Sequence, residues 1–146
     1  GMKTKTVEYQ DGELDVRIVV QEADGLAGMR RSVLRSAGNA YLDSLPDGEE
    51  DDEEGKLSAL EMTSRRLMAF LLYPDLLGSA KEIEGLDPDM DVEAFFALPE
   101  RLVNAWQAAT YALNPHWLQT EPEDEEEAEG LKKAEQSSDS ESEPSS

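Results

Sequence analysis

Two short segments near the start alternate polar and apolar residues: TKTVEY from Thr4 to Tyr9, and LDVRIVV from Leu14 to Val20, with Asp11-Gly12 between them. A period of two is that of a strand with one buried face, and Asp-Gly favours the positive φ angles of a tight turn. The pattern predicts a β-hairpin with Val7, Tyr9, Leu14, Val16 and Ile18 facing inward. An isolated hairpin is marginal in water, so this one must lie on a helix.

From Asp24 the period changes to that of a helix. Leu26, Met29, Val33, Ala37, Ala40, Tyr41 and Leu45 form one stripe, with Asp24 as N-cap and Pro46 as the stop. Arg31 and Arg35 fall on the opposite face, Arg30 at the edge of the stripe, and Gly28 and Gly38 read as mild defects. A second helix is expected from Lys56 to Tyr73, with Leu57, Leu60, Leu67, Met68 and Leu71 on one side, Ser64 among them, and Pro74 as its end. Its last turn, LMAFLLY, is apolar nearly all round, which implies burial on several sides. Residues 75–90 read as irregular or as a short element, with Ile83-Glu84-Gly85 either a strand fragment or a turn. Asp91 is the expected N-cap of a short helix to Ala97. Pro99 suits the first turn of a last helix, which places Leu102, Trp106, Ala109 and Leu113 on one side with Val103 and Thr110 at its edge, and which stops at Asn114-Pro115. The fold class is α+β, mainly α: an N-terminal β-hairpin on a small bundle of about four helices. No repeat or sustained heptad is visible.

Charge changes this picture in two places. The chain of 146 residues has 34 acidic residues against 13 basic ones, a formal net charge of −21. Residues 119–146 hold 11 acids and 2 lysines, and residues 47–56 hold 7 acids and 1 lysine. The C-terminal stretch has too few apolar residues to offset ~1–2 kcal/mol of backbone entropy per residue, so a disordered acidic tail is expected there. Residues 47–56 are expected to be a solvated acidic loop. The globular domain is thus expected over 4–118, with that loop inside it. Gly1 ahead of Met2 is set aside from the fold.

Composition also narrows the chemistry. With no Cys, disulfides, thiolate catalysis and Cys-ligated metals are excluded, and a single His excludes any site needing two imidazoles. The charge argues against direct binding to nucleic acid or an anionic membrane. No apolar run reaches the ~18–20 residues of a membrane span, and Lys3 and Lys5 lead into strand-like sequence and not into the apolar core of a signal peptide. A soluble, intracellular protein is expected. Asp87-Pro-Asp-Met-Asp91 resembles the start of a calcium loop, but the sixth and twelfth positions are Val92 and Leu98, not Gly and Glu. The run Glu121–Glu127 lacks the fixed geometry of a cation site. His116, beside Trp117 at a helix exit, is more at home on the last carbonyls than as a general base. No nucleophile elbow, phosphate loop or His-Glu-x-x-His is present. A non-enzymatic protein without cofactor is expected.

Two groups are candidates for partner contact. Arg30, Arg31 and Arg35, with Arg65 and Arg66, are the main basic concentration; they either pair with carboxylates of the same chain, the favoured reading, or dock an acidic partner. Phe95, Phe96, Leu98, Leu102 and Trp106 are either core, again favoured for most of them, or interface anchors.

The stretch VEAFFALPERLVNAWQAATYALNPHW, from Val92 to Trp117, resembles the tail assembly chaperones of long-tailed bacteriophages. The hairpin followed by a helix carrying Arg30-Arg31-Ser32, and the central helix running into Tyr73-Pro74, are similar in order. The likeness spans residues 4–118 by element order and is specific over about 92–117. It implies a non-enzymatic chaperone of a phage or prophage. Such a protein binds amphipathic helices of the tape measure protein and keeps that protein soluble during tail assembly. It acts in the bacterial host cytoplasm and is not expected in the mature virion. Tail tube protein as a second partner and a homo-oligomer stay open. In such families a longer form arises by ribosomal frameshifting, for which Lys132-Lys133 would mark the place. The acidic loop 47–56 has no counterpart in this picture. Two other readings remain: an acidic mimic of nucleic acid that blocks a DNA-binding protein, and a generic protein-interaction adaptor.

Overall fold

The computed structural model describes residues 2–46 and 57–118. The acidic loop 47–56, the tail 119–146 and Lys132-Lys133 lie outside the described residues. The described residues up to Asn114 belong to one compact unit. It contains β1 (Thr4–Gln10), β2 (Asp15–Gln21), α1 (Gly25–Asp43), α2 (Ala59–Leu67), α3 (Tyr73–Ser79), β3 (Ala80–Glu84), α4 (Val92–Phe96) and α5 (Glu100–Leu113). The single 3-10 turn Pro115–Leu118 belongs to a second unit; in it the His116 and Trp117 rings meet edge-on at 6.0 Å.

The α+β class holds, and the hairpin is as the alternation predicts. β1 and β2 pair antiparallel with Val7 opposite Ile18. Val7, Val16 and Ile18 are buried, with Tyr9 and Leu14 packed against the same core. Asp11 accepts from the Tyr9 hydroxyl and from the Glu13 and Leu14 N–H groups, each at 2.7 Å. The Tyr9 hydroxyl foremost, then those amides, hold its carboxyl below the usual range. The hairpin is part of a larger sheet. Residues 80–84, left open between element and irregular stretch, form a third strand against β2, with Ile18 opposite Ile83. β2 is therefore central. Gly85, at φ 92°, turns the chain out of β3 where a Cβ would lie 2.1 Å from the Asp15 carbonyl oxygen.

The second helix departs from expectation at Pro74. It does not stop there: α2 passes through a π-helical turn, Met68–Leu72, into α3, with Pro74 fully buried in its first turn. Proline cannot donate to a carbonyl one turn back, and its ring clashes with that carbonyl in a regular helix. A π-turn just upstream shifts the hydrogen-bond register and removes the conflict.

The core lies between the sheet and α5. Leu102, Trp106 and Phe95 are fully buried, with Ile18, Val20 and Leu76 beside them. Tyr73, Phe95 and Trp106 form a chain of edge-on rings 5.6 and 6.1 Å apart. Asn114 ends α5 and locks it to the sheet. Its amide donates to the carbonyls of Gln21 and Thr110 at 3.0 and 3.1 Å and accepts from the Ala23 N–H at 2.8 Å.

Candidate functional site

α1 is turned about its axis relative to the sequence expectation. Most of its apolar stripe faces outward: Leu26, Met29 and Val33 are 69%, 63% and 62% exposed, while Tyr41 at its C-terminal end is half-buried against the core. The face against α3 and the π-turn instead carries Ala27, Arg31, Leu34, Arg35 and Gly38. The cause lies across the contact. Asp75, fully buried, accepts from Arg31 Nε at 2.6 Å and from the Tyr111 hydroxyl at 2.6 Å. Arg30 donates to the Gly78 carbonyl at 3.1 Å, and the Arg35 guanidinium stacks 5.3 Å from the Phe70 ring centre. Turning α1 over would leave the Asp75 carboxylate buried without its cation, at a cost of several kcal/mol. It would also lose the close approach at Gly38, where a Cβ would meet the Ala69 carbonyl oxygen at 2.2 Å. Gly38 is thus a fitted contact and not a mild defect.

Of the arginines, Arg30 reaches the Gly78 carbonyl, and Arg31 and Arg65 form ion pairs. Both pair within the chain, Arg31 with Asp75 of α3 and Arg65 with helix-face carboxylates. Arg31 is half-buried and Arg35 buried. Among the aromatic candidates, Phe95, Leu102 and Trp106 have no exposed surface and build the core. Phe96 and Leu98 are only half-buried.

Phe96 lies in an open groove of about 320 Å³ between α2 and α4, lined also by Glu61, Ser64, Arg65, Met68, Glu93 and Ala97. Arg65 organises its wall. Its Nε meets Glu61 at 2.9 Å and its Nη1 meets Glu93 at 3.3 Å and the Tyr41 hydroxyl. Its guanidinium lies 5.6 Å from the Phe96 ring centre, and Tyr41 stacks edge-on with that ring at 5.4 Å. Hydrogen bonding to Glu61 and then to Tyr41 raises the Arg65 pKa further, so it stays a cation. Burial, then the bond to Glu93, pushes the Tyr41 phenol up. Beside the groove, on the same side of α2 as Ser64, Leu60 and Leu67 stand 78% and 53% exposed. These two were expected to face inward. The amphipathic pattern grouped them correctly, but α2 meets the core through the π-turn that follows it, and its leucine side is left in water.

The groove is lined by the apolar Met68, Phe96 and Ala97 and by two carboxylates, Glu61 and Glu93, both paired with Arg65. Among the described residues, no cluster of His, Asp and Glu is placed to hold a metal ion. Among them also, no helix is long and apolar enough to cross a membrane. Sequence reasoning missed Asp75. Its signal was a lone acid inside the apolar run AFLLYPDLL, where burial calls for a cation or hydrogen-bond donors facing it. No family model, curated protein or solved structure matches the chain.

Proposed function

We propose that the chain is a tail assembly chaperone of a long-tailed bacteriophage or prophage. In this reading the groove between α2 and α4 receives an amphipathic helix of the tape measure protein. The observation that carries it is the apolar lining of Met68 and Phe96 flanked by the outward leucines Leu60 and Leu67. Helix-in-groove recognition uses anchors at i, i+3, i+4 and i+7, and such a lining offers them a seat. Glu61 and Glu93 share the single cation Arg65, and the negative charge left over favours a helix with Lys or Arg beside its apolar stripe. The sequence resemblance over residues 92–117 supplies the identity of the partner. The net charge of −21 keeps the coated complex self-repelling and dispersed. The protein works in the host cytoplasm, without cofactor or bond-making chemistry, and leaves before the virion is complete.

The test is co-expression with a tape measure protein, reading the soluble fraction and co-purification. The full chain raises both. Leu60→Glu with Leu67→Glu, two exposed positions that leave the core intact, abolishes the gain. Removing residues 119–146 leaves binding in place, whereas an acidic nucleic-acid mimic dependent on that charge would lose its effect. A tape measure protein no more soluble with this chain than without it overturns the proposal.

A further inference from the structure

The outward face of α1 is separate from the groove and is not used by it. Leu26, Met29, Val33, Ser36 and Ala40 follow one another at spacings of three and four along the 19 residues of α1, with Ala37 beside them. All six are exposed. Such spacing holds them on a single stripe, the seam of a two-helix contact. Every exposed residue of α1 from Gly25 to Ala40 is uncharged, although the chain carries a net charge of −21. Scattered exposed apolar residues are ordinary, but a contiguous stripe marks a contact.

We propose that this face pairs with the same face of a second copy, the two α1 helices crossing antiparallel about a two-fold axis. Two features select that occupant. The first is size. The large side chains, Leu26, Met29 and Val33, occupy the N-terminal half of the stripe, and the small ones, Ser36, Ala37 and Ala40, the C-terminal half. An antiparallel pair centred between Leu34 and Arg35 sets Met29 against the second copy's Ala40 and Val33 against its Ser36. Met29 and Val33 then each meet a small residue, Leu26 lies opposite Asp43 at the margin, and the two-fold repeats the fit. A parallel pair would set Met29 on Met29 and Asp43 on Asp43. The second is charge. Two strongly acidic molecules repel over most of their surfaces, and this stripe is a face where they can meet without opposing like charges. The antiparallel arrangement also opposes the helix dipoles. The stripe from Leu26 to Ala40 spans about 21 Å. One helix pair of that length falls at the low end of interface sizes, below ~1,200 Å², so the dimer is reversible.

Sedimentation equilibrium of the full chain, from micromolar to millimolar concentration at about 0.15 M salt, tests this. A monomer–dimer equilibrium that tightens as salt screens the acidic surfaces is the expected result. Val33→Arg weakens it about tenfold or more while far-UV circular dichroism is unchanged. The absence of Cys allows a second measurement that fixes the geometry. A mixture of Met29→Cys and Ala40→Cys chains forms a mixed disulfide under mild oxidation. Met29→Cys alone does not, because the two copies of residue 29 lie about 16 Å apart, beyond the ~7 Å limit for a bridge. A monomer at every concentration overturns the proposal. So does a dimer indifferent to Val33→Arg, or cross-linking by Met29→Cys alone. If the stripe is covered only when another protein's helix is supplied, the face belongs to that partner and the proposal also fails.

Discussion

α5 and α1 are both amphipathic helices with an apolar stripe at helical spacing, yet one turns its stripe inward and the other outward. In α5, Leu102, Trp106 and Ala109 are buried against the sheet. In α1, Leu26, Met29 and Val33 are in water and Arg31 and Arg35 face the protein. Periodicity decides which residues share a face; it does not decide where that face points. That is decided by what waits across the contact. α5 meets an apolar sheet. α1 meets a buried carboxylate and two backbone surfaces, at Ala69 and Gly78, that admit no bulky side chain.

The sharpest way to test the difference is to truncate one stripe and compare. Trp106→Ala should cost about 3–5 kcal/mol, lowering the melting temperature by more than about 10 °C. The Trp106 indole N–H has no hydrogen-bond acceptor among the described residues, so the loss is one of packing. Chemical denaturation read by fluorescence and circular dichroism checks it. A cost under about 1 kcal/mol would mean that α5 does not anchor the core.

Next in size is the ionic anchor of α1. Asp75→Asn keeps the shape and an acceptor for Tyr111 but removes the charge opposite Arg31. It should destabilise by about 1.5–3 kcal/mol. Arg31→Met in the same background should recover part of that loss, since it replaces a charge facing a neutral amide by an apolar side chain. Additive losses in the double-mutant cycle would show that the pair does not orient the helix. Gly38→Ala tests the other half of the anchor. Its Cβ would meet the Ala69 carbonyl oxygen, and the required shift should cost about 1–3 kcal/mol. The opposite result, a gain from higher helix propensity, is what a solvent-facing glycine would give.

The parts that were legible in the sequence were those set by local rules. Alternation specifies the hairpin, although its loop is held by the Asp11 carboxylate and not by a positive φ at Gly12, and Asp24 and Asp91 cap their helices, accepting from the Ala27 and Ala94 N–H groups. The α5 face follows from its period. The parts not legible depend on distant residues. β3 is a strand because β2 offers it a partner edge, not because AKEIE alternates strongly. Pro74 looks like a helix end unless the π-turn before it is known. The binding candidates divided in the same way. Phe96 lines the groove, while Phe95, its neighbour, is sealed in the core, a difference of one residue on a five-residue helix.

The smallest expected effect carries the comparison furthest. Val33→Ser removes an aliphatic side chain from the middle of an apolar stripe, a change that at a buried position would forfeit about 1.5–3 kcal/mol of transfer free energy. At Val33, 62% exposed, little of that is present in the single molecule, so stability measured at submicromolar concentration should change by no more than about 0.5 kcal/mol. Stability measured at high concentration should fall more, because anything that binds only the folded form adds to its stability by mass action. Parallel denaturation curves at the two concentrations separate the cases. Equal, small changes at both would make the stripe plain solvent-exposed surface. Equal, large changes would mean that another part of the chain already covers it. Only a change that grows with concentration assigns the stripe to a contact between molecules, and so explains why α1 keeps its charges inside and its apolar residues out.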